Sequence, residues 1–358
     1  MKHPILTVGA IALFALTAVL AHVHATPPQY SVIVLDSLGG TSSEANGINA
    51  SGQVAGSSFT TGNSHYDAVR WTGIAATNLG NLGGKDAYGL GINASGQVAG
   101  YSYLPGSSVL HAVRWTETIA TDLGTLGGTH SNGFGINTSG QVAGTSQIGN
   151  AATHAARWTG TTPTDLGTLG GTDSYGYGIN DSGQVTGRAQ TGSGVFHAVR
   201  WTDTTPTDLG TLGGDSSGSA INLVGQVAGY YYLAGNSGPA HAVRWTGTTP
   251  TDLGTLGGST SYALGINASG DIIGDSYTAD DASFVGFLYI GGKMYDLNTL
   301  LVPGSGVTGI TVPQAFTGVG ANSINDYGQI AAQGTVGGRT RALLLSPVPV
   351  VMLAGANP

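Results

Sequence analysis

The side chains able to do chemistry in this chain come in series. His111, His154, His197 and His241 stand at one repeated position, each a few residues ahead of a tryptophan. Metal ligation is the sharper chemistry for such a set. Equivalent positions in a repeat array diverge, however, so four such rings cannot approach one ion to about 2 Å. A local hydrogen bond at the start of a strand is expected instead. Trp71, Trp115, Trp158, Trp201 and Trp245 share another position, which Tyr289 and Leu345 fill in the last two units. One large apolar group per unit suits packing between units better than a sugar-stacking platform. Asn-x-Ser sequons occur at Asn49, Asn93, Asn137, Asn180 and Asn267. They coincide with a turn in which Asn bonds its own backbone and Gly takes positive φ. Units without the Ser (Val224, Tyr327) keep the same phrase, so turn geometry accounts for the motif without glycosylation.

Asp275, Asp280 and Asp281 break the series. Oxygen ligands at that spacing could hold calcium, but the alternating Asp loop with its turn glycine is missing, and a solvated acidic loop is expected. Glu44 and Glu117 are the only glutamates. A carboxylate pair of the glycosidase kind is conceivable among the loop aspartates, but no residue can be nominated as catalytic. The Gly-x-Gly phrases, such as Gly89-Leu90-Gly91, are followed by no helix and so lack the context of a nucleotide loop. No metal and no cofactor is expected.

A repeat must position these residues. In the phrase Gly-Ile-Asn and its variants, the Asn recurs at 49, 93, 137, 180, 222, 267 and 325, in steps of 44, 44, 43, 42, 45 and 58. Seven units result, the last step carrying an insertion. Each unit reads as four short strands: one ending at Gly-Ile-Asn, then Gln-Val-Ala-Gly, then Ala-Val-Arg-Trp, then Thr-Asp-Leu-Gly-Thr-Leu before Gly-Gly. Four strands per unit of this length match a propeller blade of roughly 40–50 residues. No helical period is present. The fold class predicted is all-β, a seven-bladed β-propeller; a β-solenoid with two coils per unit is the alternative.

Ring closure by the N-terminal strand is expected. The chain begins with a spare fourth-type strand, Ser31 to Leu38, and ends on a third-type strand, so pairing the former with Ala342 to Ser346 would remove two sheet edges. A second argument is a co-substitution. Arg70/Asn78, Arg114/Asp122, Arg157/Asp165, Arg200/Asp208 and Arg244/Asp252 are predicted to face each other across a hairpin, and both polar positions are lost at Leu344 and Val34.

Composition sets the remaining limits. The 358 residues include 62 Gly and 13 Pro, carry 8% charged side chains and are 40% hydrophobic, so the chain can bury a core and plain disorder is disfavoured. No cysteine is present, which excludes disulfides and thiolate chemistry. A net charge of −8 with scattered basic residues argues against nucleic acid and anionic membrane as partners. Residues 1–25 read as a secretory leader: Lys2, an apolar run from Ile5 to Ala21, and the small-residue site Val23-His24-Ala25. The run could also serve as an uncleaved anchor. Residues 26–347 would then be a single seven-unit domain, and 348–358 a tail. After cleavage no membrane span remains, and the expected address is extracellular or periplasmic.

The three phrases recurring in fixed order over residues 30–347 resemble the HAF family of extracellular repeat proteins, named after a His-Ala-Phe core that reads His-Ala-Val at His111-Ala112-Val113. The resemblance implies a bacterial exported protein with no established activity. A monomeric binding or structural scaffold is the expected function, with an extracellular glycan or protein as partner. An enzyme acting on an extracellular polymer such as a polysaccharide is the alternative. The first-to-second and third-to-fourth turns share one end of each blade and stay alike; the remaining loops share the other end and vary, so they are free to carry function. The candidate ligand site is therefore Tyr103, Tyr231, Tyr232 and Asp280, all at the variable end.

Overall fold

The computed structural model describes residues 27–149, 152–313 and 322–348. The expected leader and all of the expected tail except Val348 lie outside the described residues. Seven four-stranded antiparallel sheets are present, and the fold is a seven-bladed β-propeller. Blade one is Gly39–Ile48, Val54–Thr60, Tyr66–Thr72 and Ala75–Gly80. Blades two to six follow at 87–122, 131–165, 170–210, 216–254 and 257–296. Among the described residues the only helices are single 3-10 turns at Thr61–Asn63, Ala279–Asp281 and Leu297–Leu300.

The seventh sheet is assembled from both ends of the chain. Its outermost strand is Tyr30–Val34, which pairs with Arg339–Pro347 in the register Ser31↔Ser346, Val32↔Leu345 and Ile33↔Leu344. The segment then leaves the sheet: Leu35 N–H donates to the Ala342 carbonyl at 3.0 Å and Asp36 N–H to the Ile74 carbonyl of blade one at 3.1 Å. Its other members are Ile330–Val336 and Thr308–Thr311. That innermost strand lies inside the segment read from sequence as an inserted loop, Leu301 to Thr317. The insertion thus contributes a strand, with Thr308 opposite Thr335 and Thr311 opposite Gln333, because the sheet still needs its inner ladder satisfied.

Packing between blades makes the core. All five tryptophans are fully buried, and each joins a cluster that draws residues from the preceding blade: Trp115 with Ala55, Ala68 and Leu79, for example, and Trp158 with Ala99, Ala112 and Leu123. The structural reading of the tryptophans therefore holds. Trp71 also donates its indole N–H to the Asp36 carbonyl at 2.7 Å, tying the N-terminal segment to blade one. Blades converge on the axis closely enough that a side chain is excluded from some positions: a Cβ at Gly91 would lie 2.6 Å from the Phe134 carbonyl oxygen of the next blade.

One expected register is corrected. Arg70 faces Thr77, Arg114 faces Thr121 and Arg157 faces Thr164; the Asn or Asp position sits one place along, opposite Val69, Val113 and Ala156. The turn between these strands has two residues, as between Thr72 and Ala75, one fewer than the expected pairing requires. A shift of one residue sends a side chain to the other face, so the predicted Arg–Asp pairs do not form. In blade seven Leu344 faces Ile33 and Leu343 faces Val34, an apolar version of the same register.

Candidate functional site

The two ends of the propeller treat their polar side chains differently. At the turn end, each Asn-x-Ser-Gly-Gln phrase closes on itself: Asn49 Oδ1 accepts from the backbone N–H of Ser51 and Gln53, at 3.1 and 3.0 Å. The amide nitrogen then crosses to the next blade. Asn49 Nδ2 donates to the Asn93 carbonyl at 2.9 Å, Asn93 to Asn137, Asn137 to Asn180, Asn180 to Asn222 and Asn222 to Asn267. Asn325 donates to the Asn49 carbonyl at 3.0 Å, bringing the chain of bonds from blade seven to blade one. Asn267 bonds Asp271 instead. The asparagines are buried, and their amide nitrogens are already used, so the turn explanation of the sequons stands. The arginines serve the same end: Arg70, Arg114, Arg157 and Arg200 donate to the glycine carbonyls of Gly96, Gly140, Gly183 and Gly225 on the following turn, at 2.8 to 3.0 Å.

The histidines are settled within their own blades. His111, His154, His197 and His241 place Nδ1 2.8 to 2.9 Å from Asp122, Asp165, Asp208 and Asp252. These aspartates are the residues that had been expected to face arginine. In blade five Tyr231 joins the pair, its hydroxyl donating to Asp252 Oδ2 at 3.0 Å. Burial raises the Asp252 carboxyl, but hydrogen bonds from His241, the Gly254 N–H and Tyr231 outweigh it and hold the group below the usual carboxylate range.

At the variable end the inner two strands carry side chains that differ from blade to blade. Paired across these two strands are Glu44 and Ser57, Tyr88 and Tyr101, Asn132 and Thr145, Tyr175 and Arg188, Ser217 and Tyr230, Tyr262 and Asp275. Aromatic rings link several of these: Phe59 stacks on Tyr66 at 3.8 Å, Tyr66 meets Tyr88 at 5.5 Å, and Tyr88 meets Tyr101 at 5.1 Å. On the far arc Tyr230 contacts Tyr232 at 5.8 Å and Tyr262 at 4.9 Å. Leu90, Phe134 and Tyr177 fill the axis beneath this belt. Below them, on the turn side, the isoleucines of the Gly-Ile-Asn phrases line a cavity of about 120 Å³.

Burial perturbs the belt's acids and phenols. It raises the Glu44 carboxyl, partly offset by a hydrogen bond with Ser57. It raises Tyr88, with Asp86 and Glu44 adding to the effect, and it pushes Tyr262 up to about 12, helped by Tyr232, Tyr230 and Tyr277. Asp275 is 1% exposed and accepts the Val312 N–H at 2.9 Å.

The four residues nominated from sequence fall in three environments. Tyr103 and Tyr232 are equivalent: both are half-buried last residues of a second strand, and their N–H groups bond the Asp86 and Asp215 carbonyls, at 3.0 and 2.8 Å. Tyr231 is turned to the opposite face of the sheet, 5% exposed beside His241. Asp280 is exposed on the 3-10 turn at φ 59°, while its neighbour Asp281 fixes the loop by accepting the Ser259 N–H at 2.7 Å. Arg188 and Tyr262 went unnoticed in the sequence, and Glu44 was noted only as one of two glutamates. The available signal was that Arg188 is the one cation in a column that otherwise holds Ser57, Tyr101, Thr145, Tyr230 and Asp275.

No family model matches the chain, and no curated protein matches it. Among solved structures, the β-propeller domain of the Trilobed protease from Pyrococcus furiosus is similar over 85% of this chain and 92% of that one, at 9% identity and a TM-score of 0.54. TolB from Acinetobacter baumannii is similar over 82% of this chain at 10% identity and a TM-score of 0.47; the chain spans 63% of that protein's length. XC5397 from Xanthomonas campestris, described as a gluconolactonase, is similar over 91% and 96% at 10% identity and a TM-score of 0.42. Among the described residues no helix is long and apolar enough to cross a membrane.

Proposed function

We propose that this chain is an exported monomeric binding propeller whose partner, an extracellular glycan or protein, docks on the axial side of the variable end. The observation that supports this reading is the contrast in how polar groups are used. At the turn end the Asn, Gln and Arg side chains bond neighbouring turns, as in Asn49 to Asn93 and Arg70 to Gly96. At the variable end the phenols and charges differ from blade to blade along the inner two strands, including Tyr88, Tyr103, Arg188 and Tyr232. Tyrosine offers contact area at low entropic cost with a polar tip, which suits sugars and peptides. The leader-like segment 1–25 supports export, and the three repeated phrases support kinship with HAF repeat proteins. Screening the purified protein against immobilised glycans and peptides tests the reading: retention of a member of either class is expected, and retention of none contradicts it.

A second reading, an enzyme acting on an extracellular polymer, is favoured by two carboxyls on the axial side, Glu44 with its raised affinity for protons and the buried Asp275. Release of reducing ends from any polysaccharide, lost in Glu44→Gln, would favour it over plain binding.

A further inference from the structure

Arg188 stands apart from the other arginines on the third strands of the blades. Those reach a glycine carbonyl in the next turn; Arg70 and Arg157 also pair with Glu117 and Asp203. Arg188 lies on a second strand, at the column that elsewhere holds Ser57, Tyr101, Thr145, Tyr230 and Asp275. Its guanidinium carbon sits 4.8 Å from the centre of the Tyr175 ring and 4.9 Å from that of Phe196, held by both π faces. It forms no ion pair with any Asp or Glu, all of which lie among the described residues. The groups that act on its charge are the phenols of Tyr177, Tyr230, Tyr175 and Tyr232; its Nε, like that of Arg70, Arg114, Arg157, Arg200 and Arg244, is buried without a hydrogen-bond partner. A half-buried cation without a counter-ion costs free energy that ordinary packing could avoid. It is fixed, walled by flat rings and ringed by hydroxyls.

Resting on the reading that the variable end binds a partner, we propose that Arg188 and its tyrosines form a subsite for the carboxylate of an acidic saccharide, a uronate residue. The planar guanidinium fork matches a carboxylate. Tyr175, Phe196 and Tyr232 offer apolar faces to a sugar ring, and the phenols of Tyr230 and Tyr232 can exchange hydrogen bonds with its hydroxyls. An aspartate-rich peptide would satisfy the cation but not the ring of hydroxyl partners.

The test measures binding of the whole protein to trigalacturonate, to its methyl ester and to a tri-aspartate peptide, in wild type, Arg188→Gln and Arg188→Lys. The expected result is wild-type binding of the acid about tenfold or more tighter than the ester, as for a hydrogen-bonded charge pair. That preference should vanish in Arg188→Gln and be partly kept in Arg188→Lys. The acid-against-ester comparison in wild type needs no variant and so survives any folding defect. Equal binding of acid and ester, tighter binding of the peptide, or an unchanged preference in folded Arg188→Gln overturns the subsite while leaving the glycan-binding reading in place. No binding of any of the three overturns the subsite as well, and failure of the broader screen alone removes the reading beneath it.

Discussion

The turn end and the variable end of this propeller are built from the same strands, yet they spend their side chains in opposite ways. At the turn end, Asn137 accepts from the Gln141 N–H and donates to Gln141 Oε1 and to the Asn180 carbonyl, and its counterparts other than Asn267 do the same around the ring. Similarity between units there is a consequence of structure: each turn is both a hairpin and a clamp on its neighbour. At the variable end the first strands hold Glu44, Tyr88, Asn132, Tyr175, Ser217 and Tyr262 in one varied column, while the recurrent bond between blades falls to the residue before it, where Ser43, Ser131, Ser174, Ser216 and Ser261 accept a backbone N–H of the preceding blade. The strand pairs are held by backbone ladders, so these side chains are released from architectural duty. A repeat protein can thus separate stability from recognition along a single axis.

The largest effect expected concerns the ring that both ends presuppose. Removing residues 27–38 should cost more than about 3 kcal/mol, the scale of emptying a large core site, since Leu35 and the Trp71 indole bond go with the strand. A truncated chain that melts like the intact one would show that the N-terminal strand is dispensable. Next is the clamp. Asn137→Ala should destabilise by about 1–3 kcal/mol in denaturant unfolding, because buried donors and acceptors lose their partner. Tyr232→Ala, at the other end and half-buried, should cost less; equal costs would erase the contrast between the ends.

A smaller effect should come from Glu44. Its folded affinity for protons exceeds the unfolded one because burial disfavours the carboxylate. The folded state therefore holds the proton more tightly, and stability falls as pH rises from the unfolded value of about 4.3 through the folded one. Glu44→Gln should accordingly melt higher than wild type at pH 7, with the gap closing below about pH 4. A gap independent of pH would mean that Glu44 is not held in a desolvated setting.

Much of the architecture could be read from the sequence because it repeats. Seven Asn turns, one column of five tryptophans and the Gly-Ile-Asn strand ends gave blade number, core and the two kinds of end. Register was harder. An even hairpin between Arg114 and Asp122 looked sufficient, but the turn places Thr121 opposite the arginine and frees Asp122 for His111. The site suffered from a related error: Tyr231 and Tyr232 are consecutive in a strand, so they had to point to opposite faces, and Tyr230 is the one that shares the axial side with Tyr232. Arg188 was legible as a break in its column. What sequence could not supply was that no carboxylate would stand beside it, since that depends on how blades four and five pack together.

The central claim is that a partner engages the variable end. The most direct measurement is the affinity for one saccharide retained in the screen, compared between two double variants. Tyr103→Ala with Tyr232→Ala removes belt rings, and Ser95→Ala with Ser139→Ala alters two turns at the hydroxyls that touch Asn93 and Asn137. The account predicts a loss of about tenfold or more in the first, the scale of a binding hot spot, and little change in the second. Loss confined to the turn variant would contradict it.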